Sequence, residues 1–272
     1  MAAVEFEVNG HIALVTLNRP EARNSFNPEA LVRLYDAFHE VETNDNIRVA
    51  VITGSGDKAF CAGADLGQLI TLMNGARKPE NEWDTRYVDD VSKKGSYLMN
   101  KDPVKPVVAA INGHAIAGGM ELVQGTDIRV AVPEAKFGLQ EVKWAIFPAG
   151  GSTVRMPRQM PYAKAMELML TGDLISAEEA LELGFLNYVV EASELMDKAM
   201  EIASKSPLAI SGIKEIINYS RDHSIDESLN YVALWNASMK YEDDLKETFL
   251  AKMEKRDELF QGLKKKGKYF EK

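Results

Sequence analysis

The sequence predicts an α/β fold with a helical C-terminal region, on three observations. Short β-branched or apolar runs at residues 11–17, 48–53, 106–111 and 127–132 are each bounded by Gly, Asn or Pro, as buried strands are. A segment with helix-start signals lies between the first two runs, and from about residue 162 onward the apolar spacing turns helical. Strands alternating with helices, followed by a helical run, describe a mixed core with an added helical subdomain.

Taken in order, the N-terminus alternates Val4, Glu5, Phe6, Glu7, Val8, the pattern of a strand with one wet face. The first helix has Asn27 to cap it, Pro28 at the first helical position and Glu29 in the first turn. Leu31, Leu34, Phe38 and Val41 then fall on one face as a core-packing stripe. Later, Ser176 with Glu179 reads as a capping box, Gly184 as the stop for that short helix, and Pro207 as the opening of the next. Leu245, Phe249, Met253 and Phe260 recur at helical spacing in a segment otherwise crowded with Lys and Glu. A helix with one apolar stripe and little chain left to cover it needs a partner surface, either its own core or another subunit. Lys264, Lys265, Lys266 and Lys268 read as a solvated end.

At 272 residues, with 46% hydrophobic and 27% charged side chains, the chain can bury a sizeable core. Its 32 basic and 41 acidic residues leave a net charge of −9, which excludes a nucleic-acid platform built on a basic face. The single cysteine, Cys61, excludes an intrachain disulfide framework and a cysteine-rich metal site, and it fits a reducing compartment. The first basic residue is Arg19, so the start resembles neither a secretory signal nor a transit peptide. The longest charge-free stretch in the middle of the chain, residues 106–120, is too short and too interrupted to span a bilayer. A soluble, cytoplasmic protein with no membrane partner is expected.

Three glycine-containing segments carry the candidate chemistry: residues 58–66, residues 111–122, and residues 137–142 leading into 147–151. Small residues after a strand let a ligand approach the backbone. A Gly-Gly turn that opens a helix, such as Gly118-Gly119, leaves N–H groups unpaired. Two such groups from separate loops can hold a developing oxyanion. Neither loop fits the GxxxxGK[ST] or GxGxxG template, so nucleotide readings are weak. Turn and helix chemistry alone would explain each segment taken singly, including Glu121 in a first helical turn and Glu141 as a surface carboxylate.

Together and in this order, the segments resemble the crotonase (enoyl-CoA hydratase/isomerase) superfamily. The resemblance runs from about Val4 to Phe260 and includes Leu17-Asn18-Arg19-Pro20-Glu21-Ala22-Arg23-Asn24 and the late Glu254-Lys255-Arg256. It implies a crotonase-like spiral of ββα units carrying the thioester site over residues 1–204. It also implies a C-terminal helical oligomerisation region over residues 205–272 that builds a homotrimer or a hexamer (a dimer of trimers). The implied substrate is an acyl-CoA, with coenzyme A entering as part of it and no resident cofactor or metal. The implied oxyanion-hole donors are the backbone N–H groups of Ala64 and Gly118.

The resemblance further implies that Glu121 and Glu141 are the acid/base pair of a hydratase, Glu121 mainly activating water and Glu141 protonating the α-carbon. Two carboxylates facing one site repel, which tends to raise one pKa and leave the other ionised. Residues 142–149 lack the aspartate of dienoyl-CoA isomerases, and both glutamates are present, so hydration or its reverse is favoured. An enoyl-CoA isomerase, a carnitinyl-CoA-type dehydratase and a non-catalytic acyl-CoA-binding or scaffold subunit are the alternatives. Ala22, Arg23, Ala62, Gly63, Asp65, Leu66, Ala149 and Lys255 are the expected substrate contacts, Arg23 and Lys255 through CoA phosphate.

Two departures stand out. Ala149-Gly150-Gly151 replaces the Gly-Ala-Gly-Gly of common hydratases, and alanine at 149 can offer its N–H only with a negative φ. Gly67 stands where many relatives carry a lysine. His114 and Cys61 are expected to be structural. Residues 69–100, with Trp83 and Tyr87, are expected to shape the acyl pocket. Residues 124–129, Lys143-Trp144 and Gly150-Gly151-Ser152 resemble a branch that handles bulky acyl-CoAs and carnitinyl-type substrates.

Overall fold

Each apolar run becomes a strand in the computed structural model, which describes residues 1–94, 96–99, 102–203, 207–238, 242–256 and 258. The larger sheet has six strands: β1 (Val4–Asn9), β2 (Ile12–Leu17), β3 (Val49–Gly54), β5 (Val107–Ile111), β7 (Ile128–Ala131) and β10 (Tyr188–Val189), in the order β1-β2-β3-β5-β7-β10. Only the β1–β2 hairpin is antiparallel; every other pairing in this sheet is parallel. β3 and β5 are buried along their whole length, which is why they read as unbroken apolar runs rather than alternating ones.

A smaller sheet is built from β4 (Ala59–Cys61), β6 (His114–Ile116), β8 (Lys136–Gly138) and β9 (Ile175–Ser176). The consecutive pairs β3–β4, β5–β6 and β7–β8 each send their first strand to the large sheet and their second to the small one. That repetition is the expected spiral of ββα units. It places the ends of β4, β6 and β8 side by side, and those ends carry the three candidate segments.

Helix α1 (Pro28–Thr43) starts where the cap predicts, with the Asn27 side chain accepting the Ala30 N–H at 2.8 Å and Leu31, Leu34, Phe38 and Val41 buried. Residues 66–94 are short helical pieces, including two π-helical turns at Leu66–Ile70 and Tyr87–Val91. They are fastened to α1 by the Arg86–Asp36 ion pair and by the Arg33 guanidinium, 4.6 Å from the Trp83 ring centroid.

Beyond β6 come α2 (Gly118–Gln124), α3 (Ser152–Gln159), α4 (Tyr162–Thr171), α5 (Ala177–Glu182) and α6 (Leu195–Ala203). The helical run therefore starts about ten residues earlier than its spacing suggests, because Pro157 and the short length of α3 mask its period. At α5 only half of the capping box forms. Ser176 Oγ accepts the Glu179 N–H at 3.1 Å, but the Glu179 carboxylate turns to Lys164 at 2.7 Å. Gly184, with φ +73°, ends that segment as expected.

The C-terminal region is α7 (Pro207–Ser220), α8 (Ile225–Ser238) and α9 (Glu242–Glu254). α7 packs on α8 with Gly212 flat against the Trp235 ring, where a Cβ would come within 2.5 Å. Lys214 ties α7 to the core through Asp127 at 2.7 Å and the Lys105 carbonyl at 3.0 Å. On α9, Leu245, Phe249 and Met253 are 54%, 67% and 81% exposed, so the late stripe has no cover within the described chain. Phe260 and the lysines at 264, 265, 266 and 268 lie outside the described residues.

Candidate active site

The turn at residues 19–26 and the loop after β4 are one assembly. Asn24, 3% exposed, accepts the Arg19 N–H at 2.9 Å and donates to the Ser55 and Ala59 carbonyls at 3.0 and 2.8 Å. Arg23 and Asn24 both hold left-handed backbone angles, φ 53° and 55°. The Ala62 N–H then donates to the Arg23 carbonyl at 3.0 Å, Phe26 N–H to Gly63 at 2.7 Å, and Asp65 N–H to Phe26 at 2.8 Å. In that parallel bridge Phe26 uses the groups flanking Ala64, so the Ala64 N–H itself points away from Phe26.

The second loop turns at Ala117, where φ is +52° and ψ −125°. Its N–H donates to Gly138 at 2.8 Å and its carbonyl accepts the Glu121 N–H at 3.0 Å. Gly118, the first residue of α2, therefore has no carbonyl in its own helix to bond. The two loops touch: a Cβ on Gly63 would lie 3.1 Å from the Gly118 nitrogen, and one on Gly119 only 2.1 Å from the Cys61 carbonyl oxygen. Glycine is required at 119 for this approach, and Ala64 and Gly118 are brought to neighbouring positions by it.

Glu121, on the first turn of α2, is 5% exposed. One carboxylate oxygen, Oε1, accepts the Gly150 N–H at 2.8 Å and the Ser152 N–H at 3.4 Å. Burial raises its pKa, while the bonds from Ser152 and Gly150 and the charge of Arg155 oppose that rise. Glu141 begins the single 3-10 turn Glu141–Trp144 after β8. Its Oε2 is enclosed with no hydrogen-bond partner among the described residues. Burial pushes the Glu141 carboxyl up to about 7, its own backbone N–H opposes this, and the neighbouring Glu121 charge adds to it. The two glutamates share one region, one held by donors and the other left bare.

The Gly150 turn is itself clamped. Arg155 donates to the Leu98 carbonyl at 3.1 Å, to the Met99 carbonyl and to the Gly150 carbonyl at 3.3 Å, and pairs with Asp102 at 2.6 Å. This draws residues 98 and 99 against the Glu121 carboxylate; the Met99 sulfur would lie 3.2 Å from a Cβ on Gly150.

The remaining expected contacts divide. Ala22, Ala62 and Gly63 line the junction of the first two loops, and the Arg23 side chain is exposed beside them. Leu66 is 46% exposed at the loop's outer end. The Asp65 carboxylate is committed to the protein, accepting the Gly67 and Gln68 N–H groups at 3.1 and 3.0 Å and pairing with Arg19 at 3.0 Å. Ala149 is exposed and is not among the residues of positive φ, so its backbone meets the condition for offering an N–H. Lys255 is an exposed residue at φ +54° just past α9, with its N–H bonded back to Lys252. Cys61 is fully buried, with its thiol pushed up to about 12 by burial, as a packed residue and not a nucleophile. His114 lies on β6 with a buried Nδ1 that has no partner among the described residues.

Sequence reasoning missed Asn24, Met99, Gln124, Ser152 and Arg155 as parts of the site. Only Asn24 carried a usable signal, an amide in a turn ahead of a helix start. Among the described residues no group of three His, Cys, Asp or Glu is placed to hold a metal ion, and no helix is long and apolar enough to cross a membrane.

Comparison with known proteins agrees with this geometry. The family model described as enoyl-CoA hydratase/isomerase matches residues 7–264. The chain is 38% identical to (E)-benzylidenesuccinyl-CoA hydratase of Thauera aromatica, over 95% of this chain and 99% of the relative. It is also 38% identical to an enoyl-CoA hydratase of Mycobacterium tuberculosis, over 94% of this chain and 95% of that one. The crystal structure of an enoyl-CoA hydratase from Bacillus anthracis superposes with a TM-score of 0.80 at 33% identity, covering 96% of this chain and all of the other. With a family match over nearly its whole length and relatives of this identity and coverage, the chain belongs to the enoyl-CoA hydratase/isomerase family.

Proposed function

We propose that this chain is an enoyl-CoA hydratase, adding water reversibly across the 2,3 double bond of an enoyl-CoA thioester. The observation that carries the reading is the pair of differently tuned glutamates, Glu121 buried and Glu141 half-buried, beside two touching loops with outward N–H groups. In this reading the Ala64 and Gly118 N–H groups receive the thioester oxygen as it gains charge, a contribution worth about 2.7–4 kcal/mol per donor. Glu121 is the ionised partner: the Gly150 and Ser152 bonds to Oε1 favour its carboxylate form, leaving Oε2 to take a proton from water as the oxygen attacks the β-carbon. Glu141, with a pKa of about 7, is the protonated partner and gives its proton to the α-carbon as the enolate collapses. The Glu121 proton then passes back to restore Glu141 through the shared site, so one water is added and the enzyme is unchanged.

Nothing in this scheme requires a resident cofactor; coenzyme A arrives with the acyl group. The exposed apolar residues of the C-terminal helices, Ile213 at 60%, Leu229 at 61% and Phe249 at 67%, favour a homotrimer or a dimer of trimers. A single buried cysteine fits a cytoplasmic setting.

The test is product analysis by mass spectrometry with short, long, branched and ring-bearing trans-2-enoyl-CoAs; the ring-bearing class is included because the Thauera relative is named for such a thioester. The expected result is a mass gain of one water, lost in both Glu121→Gln and Glu141→Gln. Unchanged mass on every acyl chain, with CoA ester still bound, would overturn the reading in favour of isomerisation or a non-catalytic role.

A further inference from the structure

The loop that carries Ala64 is held against the 19–26 turn by one side chain. Arg19 donates Nη1 to the Ser25 carbonyl at 2.7 Å and Nη2 to Asp65 Oδ2 at 3.0 Å. Ser25 precedes Phe26 and Asp65 follows Ala64, so the guanidinium fork spans the two backbones beside the Phe26–Ala64 bridge. Phe26 closes that bridge, donating its N–H to the Gly63 carbonyl at 2.7 Å and accepting the Asp65 N–H at 2.8 Å. Its ring reaches the other loop, where a Cβ on Gly118 would come within 3.5 Å of it. The unit that Arg19 fastens therefore touches both candidate oxyanion donors.

The two oxygens of Asp65 have separate duties. Oδ1 accepts the Gly67 and Gln68 N–H groups at 3.1 and 3.0 Å and so starts the helical turn Leu66–Ile70. Oδ2 is the oxygen that meets Arg19. The 19–26 turn has anchors of its own, since Asn24 ties it to the Ser55 and Ala59 carbonyls. The Arg19–Asp65 contact is thus an addition to two structures that are already held, and what it sets is their separation. A guanidinium suits this task because its rigid fork fixes two acceptors relative to each other, where an ammonium is a single point. At 12% and 19% side-chain exposure, the pair is also largely shielded from salt and water.

We infer that Arg19, acting through Asp65 and the Ser25 carbonyl, is a positioning residue for the oxyanion hole: it aims the Ala64 N–H at the place the Gly118 N–H also reaches. The inference rests on the hydratase reading for the thioester oxygen it serves. A donor must lie about 2.7–3.1 Å from the oxyanion, so a small outward drift of the loop weakens that bond first.

The experiment compares wild type with Asp65→Asn, Arg19→Lys and the double variant. Asp65→Asn keeps one oxygen to accept from Gly67 and Gln68 and turns an amide NH2 toward Arg19, so the ion pair alone is lost. Arg19→Lys keeps the charge without the fork. Each protein is loaded with an acyl-CoA saturated at carbons 2 and 3, which has no double bond to hydrate, labelled with carbon-13 at the thioester carbonyl. Isotope-edited infrared difference spectra then record the carbonyl stretch. Wild type is expected to lower that frequency relative to the free thioester. In both single variants the lowering shrinks toward what one donor gives, and the double variant is no worse than Asp65→Asn because both act through one contact. Hydration of a trans-2-enoyl-CoA loses roughly 10–100-fold in kcat with KM little changed. A lowered melting temperature with the carbonyl frequency left at the wild-type value would overturn the inference and make the pair a structural tie. A wild-type frequency equal to that of the free thioester would remove the oxyanion hole, and the inference with it. Should wild type lower the frequency yet no protein hydrate any enoyl-CoA, the hydratase reading fails while the variants' frequencies still decide the role of Arg19.

Discussion

Replacing Gly150 by alanine isolates the support of Glu121 from everything else in the site. The Gly150 φ is not positive, so an alanine backbone is unstrained there, and the whole effect comes from one methyl group. That methyl would sit 2.6 Å from Glu121 Oε2, 2.9 Å from its Cδ and 3.2 Å from the Met99 sulfur. To regain ordinary contact the carboxylate must retreat by about 0.8 Å, away from the Gly150 N–H that holds Oε1 at 2.8 Å. A hydrogen bond to a charged group contributes about 1.5–3 kcal/mol, and a misplacement near 1 Å costs roughly 100-fold in rate. Gly150→Ala is therefore expected to lower kcat about 100-fold while KM changes little, measured by steady-state hydration of an enoyl-CoA. In the Glu121→Gln background the same substitution should cost almost nothing more, because both act through one group. A loss below threefold, or full additivity with Glu121→Gln, would refute the placement of Gly150 as the support of the base.

Other expectations follow from the same contacts. Because Glu141 holds its proton to about 7 against an ordinary 4.5, the native state binds more protons than the unfolded one between those values, and its stability falls as pH rises through them. The full shift would be about 3.4 kcal/mol, and partial exposure of the group reduces this to about 1–2 kcal/mol. Glu141→Gln should thus be more stable than wild type at about pH 8 by that amount and equal to it near pH 4, as read by denaturant titration; a variant equally stable at both would contradict the assignment. The kcat/KM profile should be bell-shaped, falling on the basic side near 7 as Glu141 loses its proton and on the acid side as Glu121 gains one. Both limbs belong to the coupled pair. Gly119→Ala forces a methyl to within 2.1 Å of the Cys61 carbonyl oxygen, so thermal melting should reveal a loss of about 3 kcal/mol, the upper end of the usual cost of overpacking; an unchanged melting temperature would mean the loops do not pack this closely.

Legibility in the sequence tracked the length of the pattern. β3 and β5, buried on both faces, and α1, with its cap and four-residue stripe, announce themselves within one or two residues of their observed ends. The small sheet does not, since β4, β6 and β8 have three residues each and β9 two, too few for any period to register. The glycine turns could be read as turns, and the free N–H groups inferred from them. The two glutamates could not be separated from 41 acidic residues by spacing; family resemblance selected them. What no local pattern carries is the support of Glu121, because Gly150 and Ser152 lie 29 and 31 residues away in sequence and meet it only through the docking of α3 on α2. Asp65 shows the opposite limit: its loop placed it among the substrate contacts, while the fold occupies its carboxylate with two N–H groups and Arg19.

The central claim is that Glu121 and Glu141 add the elements of water across a double bond. Its most direct test is turnover of a trans-2-enoyl-CoA in heavy-oxygen water made up with deuterium, followed by mass spectrometry and fragmentation of the product. One heavy oxygen at the β-carbon and one deuteron at the α-carbon are expected, both absent with Glu121→Gln and Glu141→Gln. Deuterium entering the acyl chain without heavy oxygen would contradict it, and would mean that the pair moves protons between carbons without adding water.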